Sequence, residues 1–119
     1  MPAKNGLKER LARYRQITIS VTGRKSGKTI SIPVWFVVER DKLYLVPVSG
    51  SDTQWFKNVL KNPPIRVSAR DEQAEFRAKA LTDPKAVAVI VEKFREKYGA
   101  GDVKKYYSKF DVAVEIDLA

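Results

Sequence analysis

The feature that most constrains this sequence is a two-residue alternation of apolar and polar side chains, which recurs in short runs along the chain. In the longest run, Ile30, Ile32, Val34 and Phe36 all fall on the same face. Successive side chains of a β-strand point to opposite faces, so each run predicts a strand with one face packed on a core. The six predicted strands cover residues 17–21, 30–38, 43–48, 65–70, 74–80 and 112–118.

Three predicted helices accompany these strands. Apolar residues at helical spacing mark a basic helix within residues 1–14 and a longer helix over 84–98. Ser51 and Gln54 have the spacing of a capping box, which predicts the start of a third helix, and Pro63 ends it. A further short turn of helix is predicted over 102–107.

The connections between the strands predict how the strands pair. Most of them are short turns, which join antiparallel neighbours. Six strands with three helices predict a β-rich α+β fold: a small antiparallel barrel, closed or split, with helices covering its ends. A length of 119 residues suits one domain. We therefore expect a single domain over 1–119, with a basic helix in 1–14 and the barrel over 15–118.

The composition excludes several classes of chemistry. The chain has no cysteine and no histidine, so a zinc site built from these residues and a Ser-His-Asp or Cys-His nucleophile cannot exist. No carboxylate cluster points to a metal site either. Disulfides are excluded, and neither a secretory signal nor an apolar run of membrane-spanning length is evident. We expect a cytoplasmic protein with no membrane span.

Positive charge is concentrated at one end of the sequence. The formal net charge is +9, and residues 1–28 contain eight basic residues and one acidic residue. The remaining residues are nearly balanced, so the excess predicts a local basic surface. Such a surface attracts phosphates, polycarboxylates, nucleic acids or an anionic membrane.

A basic loop between two glycines lies within this region. Its spacing differs from that of a Walker A loop, because three residues rather than four separate Gly23 from Gly27, and a strand rather than a helix follows. The loop can still bind an anion, since Arg24 can hold a phosphate bidentately and Ser26 adds a hydroxyl donor. The alternative is an ordinary exposed hairpin without a ligand.

Three sequence blocks carry a family resemblance. They are residues 19–28 (ISVTGRKSGK), 45–53 (LVPVSGSDT) and 55–63 (WFKNVLKNP). Together they resemble the deazaflavin-dependent nitroreductases, a family of the split-barrel flavin-binding superfamily that also contains pyridoxamine phosphate oxidases. The resemblance implies an FMN-binding type of split barrel, usually a homodimer, that binds coenzyme F420 or sometimes FMN. One departure is that the Ser49–Gly50–Ser51 loop lacks the lysine that family members often carry there.

The resemblance also implies roles for individual residues. The cofactor phosphate would be held by Arg24, Lys25 and Ser26. Contacts near the ring system would come from three segments: Pro33, Val34 and Trp35; Val46, Pro47, Val48, Ser49 and Gly50; and Trp55 and Asn58. Tyr106 and Tyr107 are the candidate catalytic proton donors. Tyr98, which completes the apolar stripe of the helix over 84–98, is expected in the core.

The favoured hypothesis is therefore an F420-dependent oxidoreductase that transfers a hydride to a small electron-poor substrate such as a nitro compound, quinone or enone. Hydride chemistry suits a chain without histidine or cysteine, because the cofactor carries the reaction. An FMN-binding flavoprotein of the same fold and a non-enzymatic cofactor-binding protein are the alternatives. A nucleic-acid binder is disfavoured, because the aromatic residues are not interleaved with the basic ones.

Overall fold

The computed structural model describes residues 11, 14–70 and 72–118. Seven strands form one antiparallel sheet in the order β2-β1-β5-β6-β7-β4-β3. The strands are β1 (Ile17–Thr22), β2 (Thr29–Val34), β3 (Val37–Glu39), β4 (Lys42–Leu45), β5 (Pro64–Ala69), β6 (Glu72–Leu81) and β7 (Ala113–Asp117). The prediction of a β-rich antiparallel fold is confirmed, with seven strands in place of six.

Three helices and a 3₁₀ turn complete the described chain. The helices are α1 (Gln54–Lys61), α2 (Pro84–Tyr98) and α3 (Ala100–Tyr106), and the 3₁₀ turn covers Gly50–Asp52. The start of α2 follows the sequence signals, because Pro84 opens the helix and the Asp83 carboxylate accepts a hydrogen bond from the Ala86 amide at 3.2 Å. None of these helices is long and apolar enough to cross a membrane.

The predicted capping box at the start of α1 is wrong. Thr53, not Ser51, precedes the helix, and no side chain caps it. The Thr53 hydroxyl instead accepts a hydrogen bond from the Ser49 amide at 2.8 Å. Ser51 lies in the 3₁₀ turn, where its amide and hydroxyl both donate to the Asp111 carboxylate. Asp111, sixty positions further along the chain, therefore binds the Ser51 side chain that the spacing predicted as a helix cap.

The core follows the alternation of the strands. On β1 the alternate residues Ile17, Ile19 and Val21 are buried, and β5 shows the same pattern. These two strands pack with the apolar face of α1 in one cluster, while α2 and α3 form a second cluster with Val37 and Val46. β1 and β5 therefore bury the face that their sequence period predicts, whereas on β2 the predicted core residue Ile30 is exposed at the edge of the sheet.

The long strand predicted over 30–38 is broken at Trp35 and Phe36. β2 pairs only with β1 and β3 only with β4 among the described residues, so the two halves lie at opposite edges of the sheet. The Phe36 side chain is fully buried, and the alternation continues through the break. The pattern therefore gave no sign of the break, which the surrounding hydrogen bonds maintain.

Tyr98 and Lys97, at the end of α2, supply those hydrogen bonds. The Tyr98 hydroxyl accepts from the Phe36 amide at 3.0 Å and donates to the Arg15 carbonyl at 2.6 Å. The Lys97 ammonium donates to the Phe36 carbonyl at 2.9 Å. A residue that leaves a sheet in the interior must find partners for its backbone groups, and here α2 provides both.

The predicted basic helix lies outside the described residues except at Leu11 and Tyr14. Leu11 is buried in the cluster under β1 and β5, and Tyr14 packs against that cluster. The strand predicted over 43–48 ends at Leu45, so the following residues leave the sheet. They enter the site described below.

We predict that Tyr98→Phe destabilises the fold by about 1–3 kcal/mol, because the buried Phe36 amide then has no acceptor. Urea unfolding of the purified variant measures the loss. Tyr106→Phe is the matched control: Tyr106 is 52% exposed, and its substitution is expected to change stability by no more than about 0.5 kcal/mol. Equal unfolding midpoints for the two variants would show that the hydroxyl does not maintain the break.

Candidate functional site

A cavity of about 480 Å³ lies beside the break between β2 and β3. Its walls come from β2 and the break, the segment after β4, the start of α1 and the end of α3. The lining residues are mostly apolar or aromatic: Gln16, Ile32, Pro33, Val34, Trp35, Val46, Val48, Thr53, Trp55, Tyr106 and Tyr107. An apolar cavity with a few polar groups is the usual form of a small-molecule site.

Trp35 is the cavity residue that contacts three tyrosine rings. Its ring stacks on Tyr98 with 4.2 Å between centroids and 4° between planes. Tyr106 meets it edge-on at 5.5 Å, and Tyr107 lies at 5.9 Å. Because the Tyr98 hydroxyl is itself fixed at the break, the indole is oriented before any ligand arrives.

The two tyrosines predicted as proton donors both line the cavity but differ in exposure. Tyr106 is exposed, whereas Tyr107 is buried. Burial, and secondarily the neighbouring Tyr98, raises the pKa of Tyr107 well above its usual range. Burial likewise raises the pKa of Tyr98 to about 12. Both hydroxyls therefore keep their protons at neutral pH, and of the two only Tyr107 lines the cavity.

The basic hairpin between β1 and β2 is held against α1. The Arg24 guanidinium donates from Nη1 to the Asn58 side-chain oxygen at 2.8 Å and from Nη2 to the Gln54 side-chain oxygen at 2.7 Å. Its backbone amide also donates to the Asn58 side chain, at 3.1 Å. Asn58, which the resemblance placed near the ring system, is only 4% exposed and contacts the hairpin instead of lining the cavity.

The rest of the hairpin is exposed to solvent. Lys25, Ser26 and Lys28 are exposed, and the Ser26 hydroxyl accepts a hydrogen bond from the Lys28 amide at 3.2 Å. Gly27 has a positive φ of 71°, which explains the need for glycine at this corner. The hairpin therefore presents lysine side chains and a hydroxyl outward while Arg24 ties it to the helix.

The first turn of α1 joins the hairpin to the cavity. Gln54 contacts Arg24, and its two sequence neighbours, Thr53 and Trp55, line the cavity. A cationic loop and an aromatic cavity are thus adjacent on one short helix. A ligand with a flat ring and an anionic tail would fit both.

The loop over 46–50 was predicted as a single contact surface, and the structure divides it. Val46 and Val48 line the cavity, whereas Pro47, Ser49 and Gly50 are not part of its described lining. Gly50 has a positive φ of 56°, and a Cβ there would lie 2.1 Å from an Asp111 carboxylate oxygen. The loop is therefore fixed from behind by the segment that precedes β7.

Lys109 and Asp111 make that support. Lys109 lies 3.2 Å from the Asp52 carboxylate and 3.6 Å from that of Asp111. Hydrogen bonds from Ser51, and the Lys109 charge, hold the pKa of Asp111 below its usual value. Neither residue was singled out in the sequence, because nothing local relates them to the loop.

Three cavity residues were not predicted: Gln16, Ile32 and Thr53. Ile32 belongs to the same strand as the predicted Pro33 and Val34, so strand geometry could have suggested it. Gln16 and Thr53 supply polar side chains to a largely apolar wall. Their roles depend on where β1 and α1 begin, and strand or helix ends are poorly defined by sequence.

Lys97 lies behind the cavity wall. Its ammonium donates to the Phe36 carbonyl at 2.9 Å and sits 3.7 Å from the centroid of the Phe36 ring. Burial, and secondarily the positive charge of Arg15, lowers the pKa of Lys97 to about 8. Loss of this proton would remove a charge beside the rings of Phe36 and Tyr98.

Comparison with known proteins identifies a family that the chain matches. The model of the family described as F420H(2)-dependent quinone reductase matches residues 3–117 of the chain. Among curated protein sequences, none matches this one. The family match covers the hairpin, the cavity and the segment of the two tyrosines.

Solved structures show a similar fold at low identity. An F420-H2 dependent reductase, FDR-A, shares 22% identity with a TM-score of 0.67, over 87% of this chain and 94% of that one. A protein described as a domain-swapped dimer shares 20%, with a TM-score of 0.69 over 95% and 98%. A putative pyridoxamine 5'-phosphate oxidase from Listeria innocua shares 14%, with a TM-score of 0.68 over 95% and 90%. The predicted split-barrel fold is confirmed.

We predict that the stability of the chain relative to a Lys97→Met variant rises between about pH 8 and pH 10.5. In this window the folded chain has released the Lys97 proton while the unfolded chain, with its pKa near 10.5, still holds it. The unfolded state binds more protons, so raising the pH favours the folded state. Urea unfolding of both proteins across this range tests the prediction, and a constant difference between them would contradict it.

Proposed function

The chain belongs to the F420H(2)-dependent quinone reductase family, and from this premise we propose that it binds coenzyme F420 at the cavity and hairpin and reduces a small electron-poor substrate. The observation that carries the proposal is the shared first turn of α1, which contacts Arg24 on one side and the cavity on the other. Coenzyme F420 combines a flat ring with a phosphodiester and glutamate tail. The two halves of the site match those two halves of the cofactor in shape and charge.

The cavity would hold the ring. Trp35 is fixed by Tyr98, and Val46 and Trp55 add apolar surface beside it. Bound there, reduced F420 would supply a hydride, and the protein's part is to orient the ring and to exclude water from it. The fixed indole limits the orientations that a flat ring can adopt. Gln16 and Thr53 would supply polar side chains at the edge of the ring.

The hairpin would hold the anionic tail. Arg24 offers the donors that its contacts with α1 leave unused, and Lys25 and Ser26 are exposed beside it. The formal charge of +9 gives the chain a field that attracts a polyanion. FMN, the predicted alternative, has a phosphate but no polyanionic tail. The matched family is described as F420H(2)-dependent, and for both reasons we favour F420.

Tyr106 and Tyr107 would serve the substrate. A substrate that accepts a hydride also needs a proton, and both tyrosines line the cavity. Tyr107 is the stronger candidate for a fixed hydrogen-bond donor, because its buried ring packs against Trp35 and Phe94, whereas Tyr106 is exposed. The substrate is proposed only as a class: a quinone, nitro compound or enone.

A homodimer is also proposed. The support comes from the two sheet edges, β2 and β3, where Ile30 on β2 is exposed, and from the domain-swapped dimer among similar structures. Sedimentation equilibrium at micromolar concentration is expected to give twice the mass of 13.5 kDa. A single species of monomer mass would contradict this.

We predict that Arg24→Ala weakens F420 binding about ten- to a hundredfold, because a charge-assisted contact to the tail contributes about 1.5–3 kcal/mol. Quenching of F420 fluorescence during titration measures the affinity. Arg77→Ala, which removes an exposed arginine from β6, is the matched control for net charge and should change the affinity little. Equal affinities for the two variants would refute the assignment of the hairpin.

We predict that Tyr107→Phe lowers kcat for reduction of a small quinone by about a hundredfold, the contribution of a positioned proton donor. KM should change little, since the aromatic wall is kept. Tyr106→Phe, made in parallel, tests the exposed hydroxyl. If both variants keep the wild-type kcat and its pH profile, neither tyrosine delivers the proton.

A further inference from the structure

We infer that Gln54 and Asn58 are positioning residues, which act on an anionic ligand by fixing Arg24 and do not contact the ligand themselves. The inference rests on the proposed function, because F420 is the anion in question. It gives Asn58 a different role from the direct cofactor contact that the family resemblance implies. Gln54 was not among the predicted site residues.

The hydrogen bonds of Asn58 point to the hairpin. Its side-chain oxygen accepts from two groups of one residue, the Arg24 amide at 3.1 Å and Arg24 Nη1 at 2.8 Å. With only 4% of the residue exposed, this amide has little surface to offer a ligand. One buried oxygen thus fixes both the backbone and the side chain of the same residue.

Gln54 completes the grip on the guanidinium. Its side-chain oxygen accepts from Arg24 Nη2 at 2.7 Å, and its backbone carbonyl accepts from Nη1 at 3.4 Å. A guanidinium has five N–H donors, and three are engaged in this way. Within the described part of the chain, the Nε donor and one Nη2 donor remain. Two donors are enough to hold a phosphate bidentately.

The hydrogen-bond partners of the guanidinium preserve the charge of Arg24. The partners are two side-chain amides and a backbone carbonyl, all of them neutral, whereas a carboxylate in their place would cancel much of the positive charge. A flexible arginine would also lose side-chain freedom when it bound a ligand. Holding it beforehand with neutral groups reduces that cost and leaves the charge available to an anion.

A double-mutant cycle separates this role from a merely structural one. Gln54→Ala is expected to weaken F420 binding by about three- to tenfold in the wild-type background, because the Arg24 side chain must then be ordered when the ligand binds. In the Arg24→Ala background it should have no effect, because among the described residues the hydrogen bonds from the hairpin to Gln54 all come from the guanidinium. Leu60→Ala, at an exposed position of the same helix, is the control in both backgrounds.

Hydrogen exchange of the Arg24 backbone amide tests its hydrogen bond to Asn58 without any ligand. Asn58→Ala should increase this exchange rate by at least about tenfold, since the amide loses its acceptor. Leu60→Ala should leave it unchanged. Both measurements use the full chain.

The outcomes distinguish the two proposals. Unchanged Arg24 exchange in Asn58→Ala, or an equal effect of Gln54→Ala with and without Arg24, would overturn the positioning role while F420 binding stood. If the wild-type chain bound no F420, the proposed function would fail. Amide exchange alone would then decide whether Asn58 fixes the hairpin. The proposed role of Gln54 and Asn58 in F420 binding would be withdrawn.

Discussion

The hydrogen bond between the Tyr98 hydroxyl and the Phe36 amide is the interaction on which the rest of the site depends. It allows the chain to leave the sheet after Val34 without an unpaired buried amide, and Lys97 satisfies the carbonyl of the same residue. The break lets β2 and β3 lie at opposite edges of the sheet. The same tyrosine stacks on Trp35, so a single side chain of α2 fixes both the break and the aromatic wall beside it.

The first turn of α1 is the second feature on which the site depends, because it connects the cavity to the hairpin. Thr53 and Trp55 line the cavity, while Gln54 between them holds Arg24. A helix of eight residues therefore sets the distance between an aromatic cavity and a cationic loop. Because Asn58 holds the hairpin one turn further along, the loop cannot swing freely away from the cavity. Through this arrangement we propose that a small chain without histidine or cysteine binds a large, charged redox cofactor.

The sequence predicted the elements better than their junctions. Alternation marked β1 and β5 correctly because one face of each packs on the core. It missed the break at Phe36, where the pattern continues although the hydrogen-bond partners change from a strand to α2. The capping box failed for a similar reason, since Asp111 takes Ser51 through a contact between distant residues. The resemblance assigned Trp35 and Tyr107 to the site, and both line the cavity. No local signal could show that Asn58 binds Arg24.

We propose that one ligand spans the cavity and the hairpin across the first turn of α1. The most direct measurement compares the affinity of the chain for F420 with its affinity for the same deazaflavin ring without the phosphate and glutamate tail, at low and high salt. We expect much tighter binding of F420 at low salt and a smaller difference at high salt, because the tail contributes mainly through charge. Equal affinities for the two ligands at both salt concentrations would contradict it.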